Sequence, residues 1–248
     1  MTELTGQSGP LDLTVMLPAY KEADSLRDLL PAIKAAAAAL TPDFEILILD
    51  TQTAMDDTAE VCAFNGVRHI RRSGGNRFGD AIRTGIAEAR GRHLLCMDAD
   101  GSHSPSYIQT MWARREEFDI VIGSRYVAGA HTEASPILIC MSYAVNLSFR
   151  LVFNIHAKDM SNSFRLYRTA LLKPMGLDSN HFDILEEILI KAVTYRPPAR
   201  ICEVPIIFCR RKAGESKRKL LLFALGYLIT LRRMRKFQKA ARREMDSQ

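Results

Sequence analysis

The chain has 248 residues, 47% of them hydrophobic and 25% charged, the balance of an ordinary globular chain with a sizeable core in one or at most two domains. Lys and Arg total 34 against 28 Asp and Glu, a net charge of +6, which favours acidic partners such as nucleic acid, nucleotides or anionic lipid. Five cysteines (62, 96, 140, 202 and 209) show neither Cys-x-x-Cys nor Cys/His clustering, which argues against a disulfide framework or a zinc site and fits a reducing cytosol.

Residues 1–11 read as an N-terminal extension without the basic start and apolar stretch of a signal peptide. Leu13 to Leu17, closed by Pro18, predicts a first buried strand. Asp24 is placed to N-cap a helix with an apolar stripe of Leu26, Leu29, Leu30 and Ile33, and Pro31 is expected to kink or break it. Phe44 to Leu49 predicts a second strand ending at Asp50, Thr58 to Phe64 a helix, and Val67 to Ile70 a third strand. After a glycine-containing loop, 74–79, Asp80 to Ala89 has helical spacing, and His93 to Met97 reads as a buried strand that delivers Asp98. Ile120 to Ile122 and Ile201 to Phe208 read as later strands, with helices around 106–117, 137–154 and 182–193.

This alternation predicts an α/β, Rossmann-like fold: a largely parallel sheet with helices on both faces. Ligands of such sheets sit at the carboxyl ends of the strands, so Pro18 to Glu22, Asp50, and Asp98 to Asp100 are expected to converge on one crevice. No run reaches the roughly 18 consecutive apolar residues of a membrane span, and Leu220 to Leu231 comes nearest. The basic segment that follows, Arg232 to Arg243, suits an amphipathic helix against an anionic membrane surface. It suits equally a terminal helix packed on the core, its basic end solvated or at a homodimer contact. Nucleic acid is not an expected partner, because the basic residues crowd into the tail without interleaved aromatic platforms.

Asp98-Ala99-Asp100 is the most informative motif. Two carboxylates at i and i+2 leaving a strand are hard oxygen ligands that suit Mg²⁺ or Mn²⁺ against a diphosphate, with Ser102 and His103 close enough to assist. A polar turn whose acids cap a helix near Pro105 has the same spacing.

Taken together, Leu17-Pro-Ala-Tyr-Lys-Glu22, Asp50, Asp98-Ala-Asp-Gly-Ser-His103, Gly123-Ser-Arg-Tyr126, Ser161-Asn-Ser-Phe-Arg165 and Gly214-Glu-Ser-Lys217 resemble the family 2 glycosyltransferases of GT-A fold. Within that family the closest resemblance is to the dolichyl- or polyprenyl-phosphate mannosyltransferases. It covers about residues 12–217, leaving 218–248 as a basic C-terminal helix or tail. It implies an inverting, metal-dependent hexosyltransferase with a nucleotide-sugar donor, GDP-mannose by closest resemblance, acting on the cytoplasmic face of a membrane. Pro18, Tyr20, Glu22 and Asp50 would hold the nucleoside, and Asp98 and Asp100, with Ser102, the metal and diphosphate. Arg125, Arg211 and Lys217 match basic positions that meet phosphates, and Arg165 and Ser163 would lie on the acceptor side. A lipid phosphate acceptor needs no general base, whereas a soluble or secondary-metabolite hydroxyl acceptor does, with Asp159, Glu186 and Glu187 as the candidates. Glu187 reads equally as an acid of a buried pair or a surface helix, and Arg211 and Lys217 also fit a solvated basic run. Two departures stand out: Asp50 is followed by Thr51-Gln-Thr-Ala-Met-Asp-Asp57, apparently one residue longer than usual, and 135–142 lacks an arginine common in polyprenyl-phosphate enzymes.

Overall fold

The computed structural model describes residues 11–195, 197–209 and 220–246. In chain order the elements are β1 (Leu13–Pro18), α1 (Ala23–Ala38), β2 (Phe44–Asp50), α2 (Thr58–Asn65), β3 (Arg68–Arg71), α3 (Phe78–Glu88), β4 (His93–Cys96), α4 (Tyr107–Trp112), β5 (Ile120–Ser124) and β6 (His131–Thr132). They continue as α5 (Pro136–Phe153), β7 (Arg165–Arg168), α6 (Thr169–Leu172), α7 (Ile184–Thr194), β8 (Ile201–Pro205), β9 (Ile207–Phe208) and α8 (Leu220–Asp246). Seven strands form one sheet in the order β3-β2-β1-β4-β7-β5-β8, and β6 pairs with β9 beside it.

The central strands are near-continuous apolar runs because the sheet is covered on both faces. Val15, Leu17, Ile46, Ile48, Leu95 and Val121 pack on one side with α1 and α4. Met16, Leu47, Leu94, Cys96, Ile120 and Ile122 pack on the other with α3, α5 and α7. A one-residue slip would exchange the two sets, so the register is strongly specified. Each fully buried Leu or Ile here contributes about 1.5–3 kcal/mol.

The predicted strands and helices are present, with five differences. The one strand expected over Ile201 to Phe208 is divided at Ile206 into β8 and β9, which belong to different sheets. The sheet is mixed: β7 runs antiparallel between β4 and β5, placing Arg165 opposite both Cys96 and Ile122. Pro31 lies within α1, which continues to Ala38, held by the burial of Leu29, Leu30 and Ile33 on both sides of the proline. Asp24 does not cap that helix but pairs with Arg27. The cap comes from Asp56, which accepts Ala23 N–H at 2.9 Å while its other oxygen accepts from Thr58, so one carboxylate joins the starts of α1 and α2. Finally, α5 is long and apolar enough to cross a membrane by length and composition. A search for consecutive apolar residues misses it because Ser142, Asn146, Ser148 and Arg150 interrupt the run.

α8 packs on α7 and α5. Tyr227 meets Phe149, Phe237 meets Tyr195, and Thr230 donates to Asp183 at 2.6 Å. α8 thus packs against the helices that cover the sheet.

Candidate active site

β2, β1 and β4 are parallel neighbours, with Pro18 opposite Leu49 and Met16 opposite Cys96, so their carboxyl ends open on one edge. Buried Arg72 staples this edge. Its guanidinium donates to the carbonyls of Asp50 at 3.1 Å, Leu49 at 2.9 Å, Asn76 and Arg77 at 3.2 Å, and to that of Ala19. Burial draws the Arg72 pKa down against the opposing charges of Asp50 and Asp80. Nothing in Arg71-Arg72-Ser73 distinguishes it beforehand from a solvated basic pair.

Tyr20 stands half exposed just beyond β1, followed by Lys21 at φ 59°. Pro18 and Glu22 are half-buried beside it, and Glu22 accepts from Ser25 at 3.3 Å. Asp50 is buried. One of its oxygens accepts Thr51 N–H at 2.7 Å, and the other pairs with His69 Nε2 at 3.0 Å. The lengthened loop after Asp50 docks through Gln52 N–H on Asn76 Oδ1 at 2.8 Å.

Asp98 and Asp100 leave the end of β4, and each is held by a serine. Ser163 donates to Asp98 Oδ1 at 2.7 Å, and Ser102 donates both N–H and hydroxyl to Asp100 Oδ1, at 3.0 and 2.6 Å. Ser102, expected beside the two acids, is fully buried and orients Asp100 through these two bonds. Ser163, the residue expected on the acceptor side, is also buried. His103 Nδ1 accepts Asp98 N–H at 3.0 Å, so Nε2 carries the proton and donates to Asn162 Oδ1 at 3.0 Å, while Asn162 donates to Gly123 O at 2.5 Å. The imidazole stacks on Phe164 and meets the edge of Phe208, fixing its tautomer and plane.

Two hard carboxylates carry the donor chemistry for Mg²⁺ or Mn²⁺, which keep waters and substrate phosphates in most coordination positions. Among the described residues no group of three or more His, Cys, Asp or Glu is arranged to hold a metal, so the remaining ligands would come from the diphosphate and solvent.

β7 starts where β4 ends because the two are antiparallel, and this brings residues 161–163 to the crevice. Ser161 accepts from Arg125 Nη2 at 2.9 Å. Arg125 also grips Asp159, Nε to Oδ2 and Nη2 to Oδ1, both at 2.8 Å, and reaches Ser142 of α5 at 3.3 Å. Burial pulls the guanidinium pKa down, but the charge of Asp159 outweighs it and the net shift is upward. Burial pushes the Asp159 carboxyl up, yet the Arg125 charge and hydrogen bonds hold it below its ordinary value.

Burial sets the surroundings of the charged residues expected in the acceptor half. Asp159 is committed to Arg125, so it is not poised as a base. Glu187 accepts from Lys191 at 2.7 Å and from Ser179 N–H at 2.8 Å; burial raises its pKa, but these donors lower it on balance, and the carboxylate serves as the buried-pair acid. Arg165 is fully buried and donates to the carbonyls of Leu185, at 2.8 Å, and Met160, tying β7 to α7. Glu186 is also fully buried, and desolvation pushes its carboxyl up to about 8. Arg211, Lys217 and the Gly214 loop lie outside the described residues. Sequence reasoning missed Asn162 as the bridge between His103 and Gly123; its signal was the Ser-Asn-Ser triplet just before β7.

A mostly parallel sheet with one inserted antiparallel strand, and paired acids at its carboxyl edge, defines a GT-A-type α/β fold. A solved structure with this architecture, glucosyl-3-phosphoglycerate synthase from Mycobacterium tuberculosis in complex with Mn²⁺, UDP and glucosyl-3-phosphoglycerate, superposes with a TM-score of 0.68 at 16% identity, over 90% of this chain and 80% of that one. The sequence profile described as Glycosyl transferase family 2 matches residues 14–176, and the chain belongs to that enzyme family. It is 31% identical to a dolichol-phosphate mannosyltransferase of Pyrococcus furiosus over 84% of its own length, spanning 60% of that relative. It is 30% identical to an undecaprenyl-phosphate mannosyltransferase of Micrococcus luteus, covering 82% of this chain and 85% of the relative.

Proposed function

We propose that the chain is an inverting hexosyltransferase that moves a hexose, mannose by its relatives, from a nucleotide sugar to a polyprenyl phosphate. The observation that carries the acceptor class is the state of the three carboxyls in the acceptor half. Asp159 is paired with Arg125, Glu187 with Lys191, and both oxygens of Glu186 are buried out of reach of an acceptor. None of the three is poised to take a proton from a hydroxyl, whereas a phosphate monoester arrives already ionised.

In this reading an acceptor phosphate oxygen attacks the anomeric carbon in line. The new C–O bond forms as the bond to the diphosphate breaks, and the nucleoside diphosphate leaves with the electron pair. No proton needs to move. Asp98 and Asp100 would hold Mg²⁺ or Mn²⁺, which neutralises charge on the departing diphosphate. Pro18, Tyr20, Glu22 and Asp50 frame the nucleoside side. Arg125 Nη1, which takes no part in the described bonds to Asp159, Ser142 and Ser161, is the candidate contact to a phosphate. Arg211 and Lys217 remain candidates for donor phosphate contact on sequence alone. Exposed Arg232, Arg235, Lys236, Lys239, Arg242 and Arg243 on α8 support peripheral attachment to an anionic membrane surface, placed here on the cytoplasmic face. A homodimer contact is the other use of this basic end.

A panel of GDP- and UDP-sugars with Mn²⁺, scored for transfer to a short polyprenyl phosphate in detergent, tests the reading. A glycosylated lipid from one donor is the expected result. Donor turnover onto soluble hydroxyl compounds without lipid product would overturn the acceptor assignment. Asp100→Ala should abolish turnover with melting unchanged, and retained turnover would remove the metal role of the acid pair.

A further inference from the structure

β3 is the edge strand beside β2, and its register sets His69 opposite Ile48 and Arg71 opposite Asp50. Side chains two apart on a strand share a face, so Asp50, two residues beyond Ile48, lies on the same face as His69. There Ile48 joins one apolar cluster with Val61 and Cys62 of α2. His69 Nε2 meets Asp50 Oδ2 at 3.0 Å across the diagonal. A carboxylate only accepts, so Nε2 carries the proton and the imidazole donates.

From its own segment Asp50 is held at one oxygen. Thr51 N–H donates to Oδ1 at 2.7 Å, while the Thr51 hydroxyl, 3.3 Å from the same oxygen, gives its proton to Thr53 O at 2.7 Å. The torsion that turns a carboxylate about its Cβ–Cγ bond is broad, so a single bond to one oxygen leaves that plane free to rotate. A second bond to the other oxygen stops it, and among the described residues His69 alone supplies it. The two neighbouring arginines are committed to main-chain carbonyls, Arg71 to Gln52 and Arg72 to Asp50 and Leu49 among others. Thr51 to Met55 carry no charge, so the lengthened loop offers no substitute. The Asp50 side chain is 2% exposed and that of His69 20%, which makes the imidazole the outer member of the pair.

We infer that His69 is a positioning residue of the nucleoside pocket: its hydrogen bond fixes the plane of the Asp50 carboxylate, and with it the angle at which that acid accepts an N–H or O–H of the donor's nucleoside. This deepens the proposed donor site and rests on that reading of Asp50. A carboxylate offers about four lone-pair sites on its two oxygens, so one bond to each from within the fold leaves both able to accept from a ligand. The effect is confined to the nucleoside. In the same reading the metal and diphosphate are held by the acids that follow β4, and β2 and β1 stand between β3 and β4 in the sheet.

The test is calorimetric titration of the full chain with GDP, UDP and inorganic pyrophosphate, each with Mn²⁺. Wild type should bind one nucleotide more tightly than pyrophosphate. His69→Leu should weaken that nucleotide about tenfold and leave pyrophosphate unchanged, a split that general loss of structure does not produce. His69→Gln, whose amide can donate from near the position of Nε2, should recover most of the affinity. In an Asp50→Asn background His69→Leu should add nothing further, because residues that act through one contact are not additive. In the transfer assay His69→Leu should raise the donor KM with kcat unchanged. The inference is overturned if His69→Leu binds nucleotide like wild type, if it loses pyrophosphate to the same degree, if His69→Gln behaves like His69→Leu, or if the losses from His69→Leu and Asp50→Asn add. A wild-type chain that binds neither nucleotide overturns the donor reading itself and the role of His69 with it, an outcome distinct from nucleotide binding that ignores His69.

Discussion

Ser163 donates its hydroxyl to Asp98 at 2.7 Å across 65 residues of sequence, and this bond joins the acid that leaves β4 to the strand inserted beside it. Ser161 and Asn162 extend the junction, one to Arg125 and the other to His103. Three consecutive side chains thus tie Asp98, His103 and Arg125 into one network.

Ser163→Ala should therefore act on turnover more than on folding. A hydrogen bond to a charged group is worth about 1.5–3 kcal/mol, and if that stabilisation orients Asp98, donor kcat/KM should fall at least tenfold while the Mn²⁺ concentration for half-maximal rate rises. Steady-state kinetics across a Mn²⁺ titration checks this. Unchanged kinetics would mean that Asp98 finds its orientation without the serine.

Asp159→Asn leaves the largely buried Arg125 without its counter-charge, and breaking such a pair costs about 3–5 kcal/mol. Urea unfolding at neutral pH should show the loss. The Asp159 carboxyl is held below its ordinary value of 3.8, so the pair's contribution is full above that value and disappears as pH falls through the lower folded value. Wild type should accordingly lose stability on acidification with a steeper slope than the variant.

Glu186 shows the opposite linkage. Its ordinary value of 4.5 is raised to about 8 in the fold, so between these limits the unfolded chain releases a proton that the folded chain keeps. Stability from this group is greatest at acid pH and falls as pH rises from 4.5 towards 8. Glu186→Gln should be near neutral in effect at pH 4.5 and stabilising at pH 8, on the order of a few kcal/mol. Denaturant melts of both proteins at the two pH values decide it; a variant that is no more stable at pH 8 would contradict the raised value.

Gly79, the second residue of α3, places its N–H on Asn180 O at 2.9 Å, and a Cβ there would lie 2.2 Å from Ser179 O. That carbonyl cannot retreat freely, since Ser179 N–H is held by Glu187 and Ser179 O by Arg83. Gly79→Ala should cost about 1–3 kcal/mol or more, lowering Tm by several degrees. Differential scanning calorimetry is the check.

The near-continuous apolar runs at 13–17, 44–49 and 93–97 left few choices but buried parallel strands, and strands of that kind put whatever follows them at the carboxyl edge. Pro18 to Glu22, Asp50 and the Asp98–Asp100 pair were legible for that reason: their position follows from local pattern and from the chirality of βαβ units. The motif order also carried the family.

The roles of individual charged side chains were not legible, because burial and pairing arise between residues far apart in the chain. Arg165-Leu-Tyr-Arg168 alternates too weakly to announce a strand, and only insertion between β4 and β5 buries Arg165 and carries Ser161 to Ser163 to the crevice. Asp159 read as a free acid, and Glu187 as either a base or a buried-pair acid, until Arg125 and Lys191 folded against them. Arg72 looked like any surface arginine until the carbonyls at the ends of β1 and β2 converged on it. Local periodicity specifies which face of an element is apolar; which charge meets which is settled only when sheet order and helix docking bring distant residues within hydrogen-bond reach.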